Sequence, residues 1–284
     1  MNDTRTPLTA ALRAMDTAAY IAKHHKTGIA HAKGDRDMVT DLDIEIERVV
    51  RARLKQDAPD VAFLGEEESP ASSTKNLTWA LDPIDGTANL VHNIPLYAIS
   101  LALVQQDRPL LGIIDLPMLG QRYWAATGQG AWLRGKRIQV SRRDRLADAM
   151  VTIGDYAVGS DAAAQNRLRL NITAELARQV LRVRMLGSAA IDLAWLAEGK
   201  TDACILLSNK PWDTAAGVII AAEAGAQVVD LDGSRHTMRS KAAIAAVPGL
   251  IAEIISLIHR SQTVDSDRAL WSQTRPPSIV PDDG

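Results

Sequence analysis

Asp82-Pro83-Ile84-Asp85-Gly86-Thr87 follows a short apolar run, Leu77 to Leu81, and its reading decides how the rest of the chain is understood. A strand that runs into Asp-Pro has to turn: Pro83 fixes φ and lacks an N–H, and Gly86 permits a close backbone approach. A turn of this length can bring Asp82 and Asp85 together and point the Ile84 carbonyl into the same space. One hexapeptide then offers three oxygen ligands to a hard cation. Gly86, Thr87 and Ala88 begin a short helix, whose first N–H groups and positive dipole end suit a phosphate. Taken alone, the stretch also reads as a plain turn, because Asp-Pro and Asp-Gly are common turn pairs.

Two other acidic segments bear on it. Upstream, Gly65-Glu66-Glu67-Glu68 closes another apolar run, and downstream Trp212-Asp213-Thr214-Ala215-Ala216-Gly217 puts an aspartate at the start of an apolar helix. Two like charges ~4 Å apart repel by about 4 kcal/mol at an effective dielectric of 20. If Glu66 and Asp213 join Asp82 and Asp85, cations must offset that repulsion. Carboxylate and carbonyl oxygens suit magnesium, two or three ions of it, better than imidazole or thiolate would. Each segment also has a plainer reading, Glu66 to Glu68 as a solvated run and Asp213 as a helix N-cap.

Outward from these segments, the periodicity is regular. Thr6-Pro7 followed by Leu8, Leu12, Met15, Ala19 and Ala22 predicts a first helix, and Leu42, Ile46, Val49 and Leu54 predict a second that starts near Thr40. A loop containing Lys33, Gly34 and Asp35 joins them. From Val61 to Val140, short apolar runs separated by turn residues predict an antiparallel meander. Beyond about residue 145, helix alternates with strand, which favours a sheet with parallel strands and helical cover. The predicted organisation is an N-terminal α+β subdomain, 1–145, carrying most of the acidic ligands, and a C-terminal α/β subdomain, 146–260, supplying Asp213 and substrate contacts. A polar tail, 261–284, is expected to be disordered apart from an anchor at Trp271.

Bulk properties narrow the function classes. The chain has 284 residues, 46% of them hydrophobic, so a sizeable core is available. Its 32 Lys plus Arg against 34 Asp plus Glu give no net charge of the kind that nucleic-acid or membrane-surface binders carry. The single cysteine, Cys204, forms no internal disulfide and fits a reducing, cytoplasmic setting. The polar N-terminus shows no secretory signal, and no run approaches the ~20 apolar residues of a membrane span. The histidines lack the spacing of a zinc site.

In their order along the chain, Gly65-Glu66-Glu67, Asp82-Pro83-Ile84-Asp85-Gly86-Thr87 and Trp212-Asp213-Thr214-Ala215-Ala216-Gly217 resemble the inositol monophosphatase family of magnesium-dependent, lithium-sensitive phosphatases. The resemblance extends over Ala10 to Arg260, and includes Asp37-Met38-Val39-Thr40-Asp41-Leu42-Asp43, Gly128-Gln129-Gly130-Ala131-Trp132 and Gly187-Ser188-Ala189-Ala190. It implies a layered α-β-α-β-α sandwich, a homodimer, and hydrolysis of a phosphate monoester on a small polyol, sugar or amino alcohol. By the same resemblance Glu66, Asp82 and Ile84 hold a first magnesium ion and Asp82, Asp85 and Asp213 a second, with a third near Glu66. Asp43 and Thr87 match the pair that orients the attacking water. Asp43 has a local reading as well, because Thr40-Asp41-Leu42-Asp43 is a capping-box pattern. Asp85, Gly86, Thr87, Gly187, Ser188 and Ala189 match the stretches that meet the substrate, and Ser188 also reads as a helix cap. Lys33 matches a lysine near the phosphate.

One position departs from the pattern. Relatives that hydrolyse inositol or histidinol phosphate carry a substrate-contacting glutamate seven residues before Asp213, where this chain has Leu206. A leucine accepts no hydrogen bond, which argues against both substrates. Ser208, Asn209 and Lys210 are the polar residues that follow it. Fructose bisphosphatase, nucleotide 3′-phosphatase and NADP phosphatase activities are alternatives on the same fold, each calling for extra basic residues. A regulatory, RNA polymerase-associated factor and a sugar-binding pseudoenzyme are alternatives of other classes. The complete acidic set favours catalysis, since a scaffold has no use for mutually repelling carboxylates.

Overall fold

The computed structural model describes residues 5–67 and 76–263. Glu68 and Trp271 therefore lie outside the described residues, as does the tail from 264 onward. The first two helices are α1 (Arg5–His24) and α2 (Asp41–Asp57). The buried face of α1 centres on Ala11, Ala14, Met15 and Ala18, and α2 buries Leu42, Ile46, Val50 and Leu54 together with two acids, Asp43 and Glu47. The segment between them is a hairpin, β1 (Ala30–Gly34) and β2 (Asp37–Thr40), where the sequence predicts a loop. Every β1 residue is exposed overall, so the strand leaves no alternating apolar signature.

A seven-stranded sheet follows in sequential order: β3 (Ala62–Gly65), β4 (Leu77–Asp85), β5 (Ala98–Gln105), β6 (Arg108–Leu116), β7 (Gln121–Ala126), β8 (Ala131–Leu133) and β9 (Lys136–Ile138). Its pairs are antiparallel except the first. β3 runs parallel to β4, which corrects the predicted uninterrupted meander. Parallel neighbours need a crossover rather than a tight turn, and apolar runs alone do not reveal strand direction. β4 also continues past Leu81 to Asp85, where the sequence predicts that it ends. Asp82 pairs with Ser100 and Asp85 with Ala98, so β4 carries one extra residue there, a bulge. Pro83 sits inside that bulge, where its missing N–H costs no ladder bond. Helix α3 (Thr87–Val91) follows at once.

The second half builds a five-stranded sheet from β10 (Met150–Ile153), β11 (Arg182–Arg184), β12 (Ala203–Leu206), β13 (Gln227–Val229) and β14 (Ala243–Ala246), ordered β11-β10-β12-β14-β13. The first three are parallel, as helix-strand alternation predicts, but β14 lies antiparallel to both β12 and β13. Its helices are α4 (Ala162–Gln179), α5 (Ala189–Ala197), α6 (Pro211–Glu223) and α7 (Ile251–Thr263).

The layers are α1/α2, the seven-stranded sheet, α5/α6, the five-stranded sheet and α4/α7. α5 and α6 lie between two sheets, which is why both are apolar nearly all round: Ala190, Ile191 and Ala194 face one core, Leu193 and Leu196 the other. This α-β-α-β-α arrangement is the predicted fold. No helix among the described residues is long and apolar enough to cross a membrane.

Candidate active site

Three element ends converge where the acidic segments lie: the exit of β3, the bulge of β4 and the first turn of α6. Glu66, Asp82 and Asp213 each present an oxygen there, all within 4.8 Å of one another. Asp213 stands in the first turn of α6 behind Pro211, and the N-cap is Lys210, so the capping alternative for Asp213 does not hold. The three acids border a cleft of about 220 Å³ that Ile84, Asp85 and Thr87 also line.

The electrostatics of this nest are unusual. Asp82 is 2% exposed, and its Oδ1 accepts the Ile84 N–H at 3.0 Å. Among the described residues, Asp82, Asp85 and Asp213 make no ion pair. Burial, with the charges of Glu66, Asp85 and Asp213 behind it, pushes the Asp82 carboxyl well above the usual range. Burial likewise raises Asp213 to about 8, with Asp85 and Glu66 adding to it. Asp85 is raised to about 6, again by burial, and is held from rising further by two donors on its Oδ2, the Ser188 hydroxyl and the Ala190 N–H, both at 2.6 Å. The cation in direct contact is Lys33 of β1, with Nζ at 3.1 Å from Glu66 and 2.9 Å from Glu67. Burial draws its ammonium pKa down, but the two glutamates prevail and raise it. Burial also raises Glu67, to about 7. Closely set hard oxygens, mostly without a counter-charge from the chain, match what a hard divalent cation takes.

Asp43 and Thr87 do meet. The Thr87 hydroxyl lies 3.2 Å from Asp43 Oδ1 and 3.0 Å from the Ile84 carbonyl. Asp43 Oδ2 accepts the Thr40 N–H at 2.9 Å and the Thr40 hydroxyl. One carboxylate therefore serves both readings, with Oδ2 capping α2 and Oδ1 facing Thr87. Burial raises its pKa, and the Thr40 and Thr87 donors oppose that rise. Gly86 is the hinge that puts Thr87 there: it adopts φ +101°, and a Cβ on it would stand 3.0 Å from the Gly187 carbonyl and 3.1 Å from that of Leu96. A side chain is excluded on both counts.

Ser188 is the N-cap of α5, accepting the Ile191 N–H at 3.2 Å, while its hydroxyl bonds Asp85. Asp85 thereby ties the β4 bulge to α5. Asn89 adds a second tie that the sequence did not reveal, donating to the carbonyls of Leu96 and Leu186. Leu206 is 4% exposed and packs towards Gly154. Asn209 is taken up by structure: its Nδ2 donates to Thr237 and Ser240 carbonyls, and its Oδ1 accepts from Thr214. Lys210 does line the cleft, and so does Arg36 from the β1–β2 turn, which the sequence did not single out. An exposed arginine in a hairpin tip has no periodicity to mark it.

Comparison with known proteins points in one direction. The family model for the inositol monophosphatase family matches residues 4–263. The chain is 33% identical over 250 residues to the inositol-1-monophosphatase ImpA of Mycolicibacterium smegmatis, covering 87% of this chain and 90% of that protein. It is 35% identical over 193 residues to a fructose-1,6-bisphosphatase/inositol-1-monophosphatase of Aquifex aeolicus, covering 68% and 72%. Among solved structures, the Thermotoga maritima IMPase superposes with a TM-score of 0.82 at 28% identity, over 90% of this chain and 98% of that one.

Proposed function

This chain belongs to the inositol monophosphatase family and is a phosphoric monoester hydrolase, and from that premise we propose that it is a magnesium-dependent phosphatase of a small hydroxylated metabolite. The convergence of Glu66, Asp82 and Asp213 carries the reading. With the Ile84 carbonyl and Asp85, these acids would hold two to three magnesium ions, whose charge, when bound, stabilises phosphoryl oxygens and lowers the pKa of water.

The chain's own residues do the rest. Asp43 Oδ1 takes a hydrogen bond from Thr87, which fixes the hydroxyl rotor and leaves its lone pairs to orient a water for in-line attack on phosphorus. Gly86, Thr87 and Ala88 open α3, where the first amide hydrogens have no acceptor inside the helix and can hold phosphate oxygens. Gly187 lines the cleft, and Ser188 and Ala189 follow it into α5 without lining it, so of the three Gly187 is the one that would meet the leaving group. Asp82 is buried and Glu66, Asp85 and Asp213 are half-buried, so interactions with a phosphate there are screened less than they would be in bulk water.

Leu206 gives a polyol no acceptor, whereas Arg36 and Lys210 offer the cleft two cations. That favours, as a second reading, a sugar carrying a further anionic group, as the name of the Aquifex aeolicus relative suggests for that protein. The resemblance also carries a cytoplasmic homodimer. A panel of phosphorylated polyols, sugars and sugar bisphosphates, assayed for phosphate release with magnesium and with EDTA, tests the proposed activity and its substrate class. Release that needs magnesium supports the proposal, and release that EDTA leaves intact refutes it.

A further inference from the structure

Glu47 lies in α2, one turn beyond Asp43, and its side chain is fully buried. A carboxylate at that depth is tolerated only with partners. Arg51 donates to its Oε1 from the next turn of the helix, and the Glu67 backbone N–H donates to its Oε2 at 2.9 Å. The Arg51 guanidinium in turn lies 4.9 Å from the centre of the Phe63 ring in β3. α2 and the exit of β3 are thus bracketed through one acid.

Gly65 makes the bracket tight. A Cβ at that position would stand 2.3 Å from the Glu47 carboxyl carbon and 2.4 Å from each of its oxygens. Carboxylate and backbone therefore pack with no space between them, which accounts for a glycine ahead of Glu66-Glu67. Glu66 sits between two anchored amides: its own N–H bonds the Leu81 carbonyl of β4 at 3.2 Å, and the next bonds Glu47. Glu47 itself does not line the cleft.

We propose that Glu47 is a positioning residue for cation binding, holding the Gly65-Glu66-Glu67 turn so that the Glu66 carboxylate faces Asp82 and Asp213. This rests on the metal reading of the site given above. Partners that orient a metal ligand are worth about 10- to 100-fold in affinity. Glu47 acts on affinity, through Glu66, and not on the chemical step.

The test is a Mn2+ titration of the full, EDTA-stripped chain, followed by the electron paramagnetic resonance signal of free Mn2+. Wild type, Glu47→Gln, Glu66→Gln and the double variant are compared. Glutamine keeps the shape but turns an amide N–H2 towards one of the two donors, so it cannot serve both. Glu47→Gln is expected to weaken Mn2+ binding about 10- to 100-fold, with wild-type circular dichroism and most of the rate recovered at saturating Mn2+. In the Glu66→Gln background the same change is expected to cost less than about threefold, because both act through one ligand. Unchanged affinity in Glu47→Gln, or losses that multiply in the double variant, would overturn the proposal. If Glu47→Gln does not fold, Glu47→Asp is read the same way: it keeps a charge for Arg51 but stops short of the Glu67 amide. A wild type that binds no Mn2+ takes down the proposed function as well, whereas a binding wild type with an equally binding Glu47 variant takes down this inference alone.

Discussion

Two buried acidic sites in this molecule are built on opposite plans. Asp115 on β6 faces Arg122 on β7 in direct cross-strand register, and the guanidinium grips both of its oxygens, at 2.6 and 2.7 Å, while reaching Asp16 of α1. Burial raises the Asp115 pKa and Arg122 opposes that rise. In the nest, Asp82 is as deeply buried and Asp85 and Asp213 are half-buried, yet the chain gives those three acids no ion pair among the described residues. The contrast between one arginine-paired acid and three acids without an ion pair is what the proposed cation site accounts for.

The contrast breaks most visibly at Asp82. Asp82→Asn is expected to lower turnover by about a thousandfold while the EDTA-stripped variant stays at least as stable as wild type, because an acid that burial holds towards its neutral form loses little on amidation. Steady-state phosphate release and a urea melt in EDTA read both effects, and a variant that is both active and destabilised would contradict the plan.

Next in size is the pH response of the metal-free chain. Asp85 at about 6 and Asp213 at about 8 lie above the unfolded carboxylate value of about 3.9. The folded state thus binds more protons than the unfolded state between about pH 4 and 8, and its stability is full below that window and falls as pH rises through it. Urea midpoints in EDTA across the window are expected to descend, and excess Mg2+ to remove the descent by binding the folded state. A midpoint that climbs with pH in EDTA counts against uncompensated acids.

At the internally paired site the expected loss is structural. Arg122→Met leaves Asp115 buried without its partner and is expected to cost about 2 kcal/mol, discounted because Arg122 remains partly exposed. Phosphate release at saturating magnesium should stay within about twofold, and a large drop in rate with an unchanged urea midpoint would blur the distinction between the sites. The smallest effect is expected at Asp192, buried with its Oδ1 unpartnered and pushed well above the usual carboxylate range by burial and then by Asp85. An acid already held neutral loses little on amidation, so Asp192→Asn is expected to shift stability by less than about 1 kcal/mol at neutral pH. Loss of magnesium affinity in that variant would make Asp192 part of the nest.

What the sequence revealed and what it concealed follow from the same physics. Helices and buried strands announce themselves by periodicity, so α2, α4 to α7 and most of the seven-stranded sheet were legible. The convergence of Glu66, Asp82 and Asp213 was legible too, because each acid sits in a distinctive local pattern at an element end. β1 was hidden because none of its residues is buried in the core, and the parallel pairing of β3 with β4 by the absence of any directional signal in an apolar run. The bulge at Asp82 to Asp85 looked like a turn because Pro83 suits either. Glu47 belongs to none of the motifs. Its spacing from Asp43, Val50 and Leu54 traces the buried face, a signal available once Asp43 is placed inward. Asp43 itself did not force a choice, since its two oxygens do different work.

The most direct measurement is calorimetric titration of the EDTA-stripped full chain with MgCl2 at neutral pH, in two buffers of different ionisation enthalpy. Saturable binding accompanied by proton release is expected, because acids held partly protonated by burial must ionise to take a cation, and Asp213→Asn should abolish most of it. Absence of binding heat in wild type, together with phosphate release untouched by EDTA, would contradict the claim that the buried acids await a divalent cation.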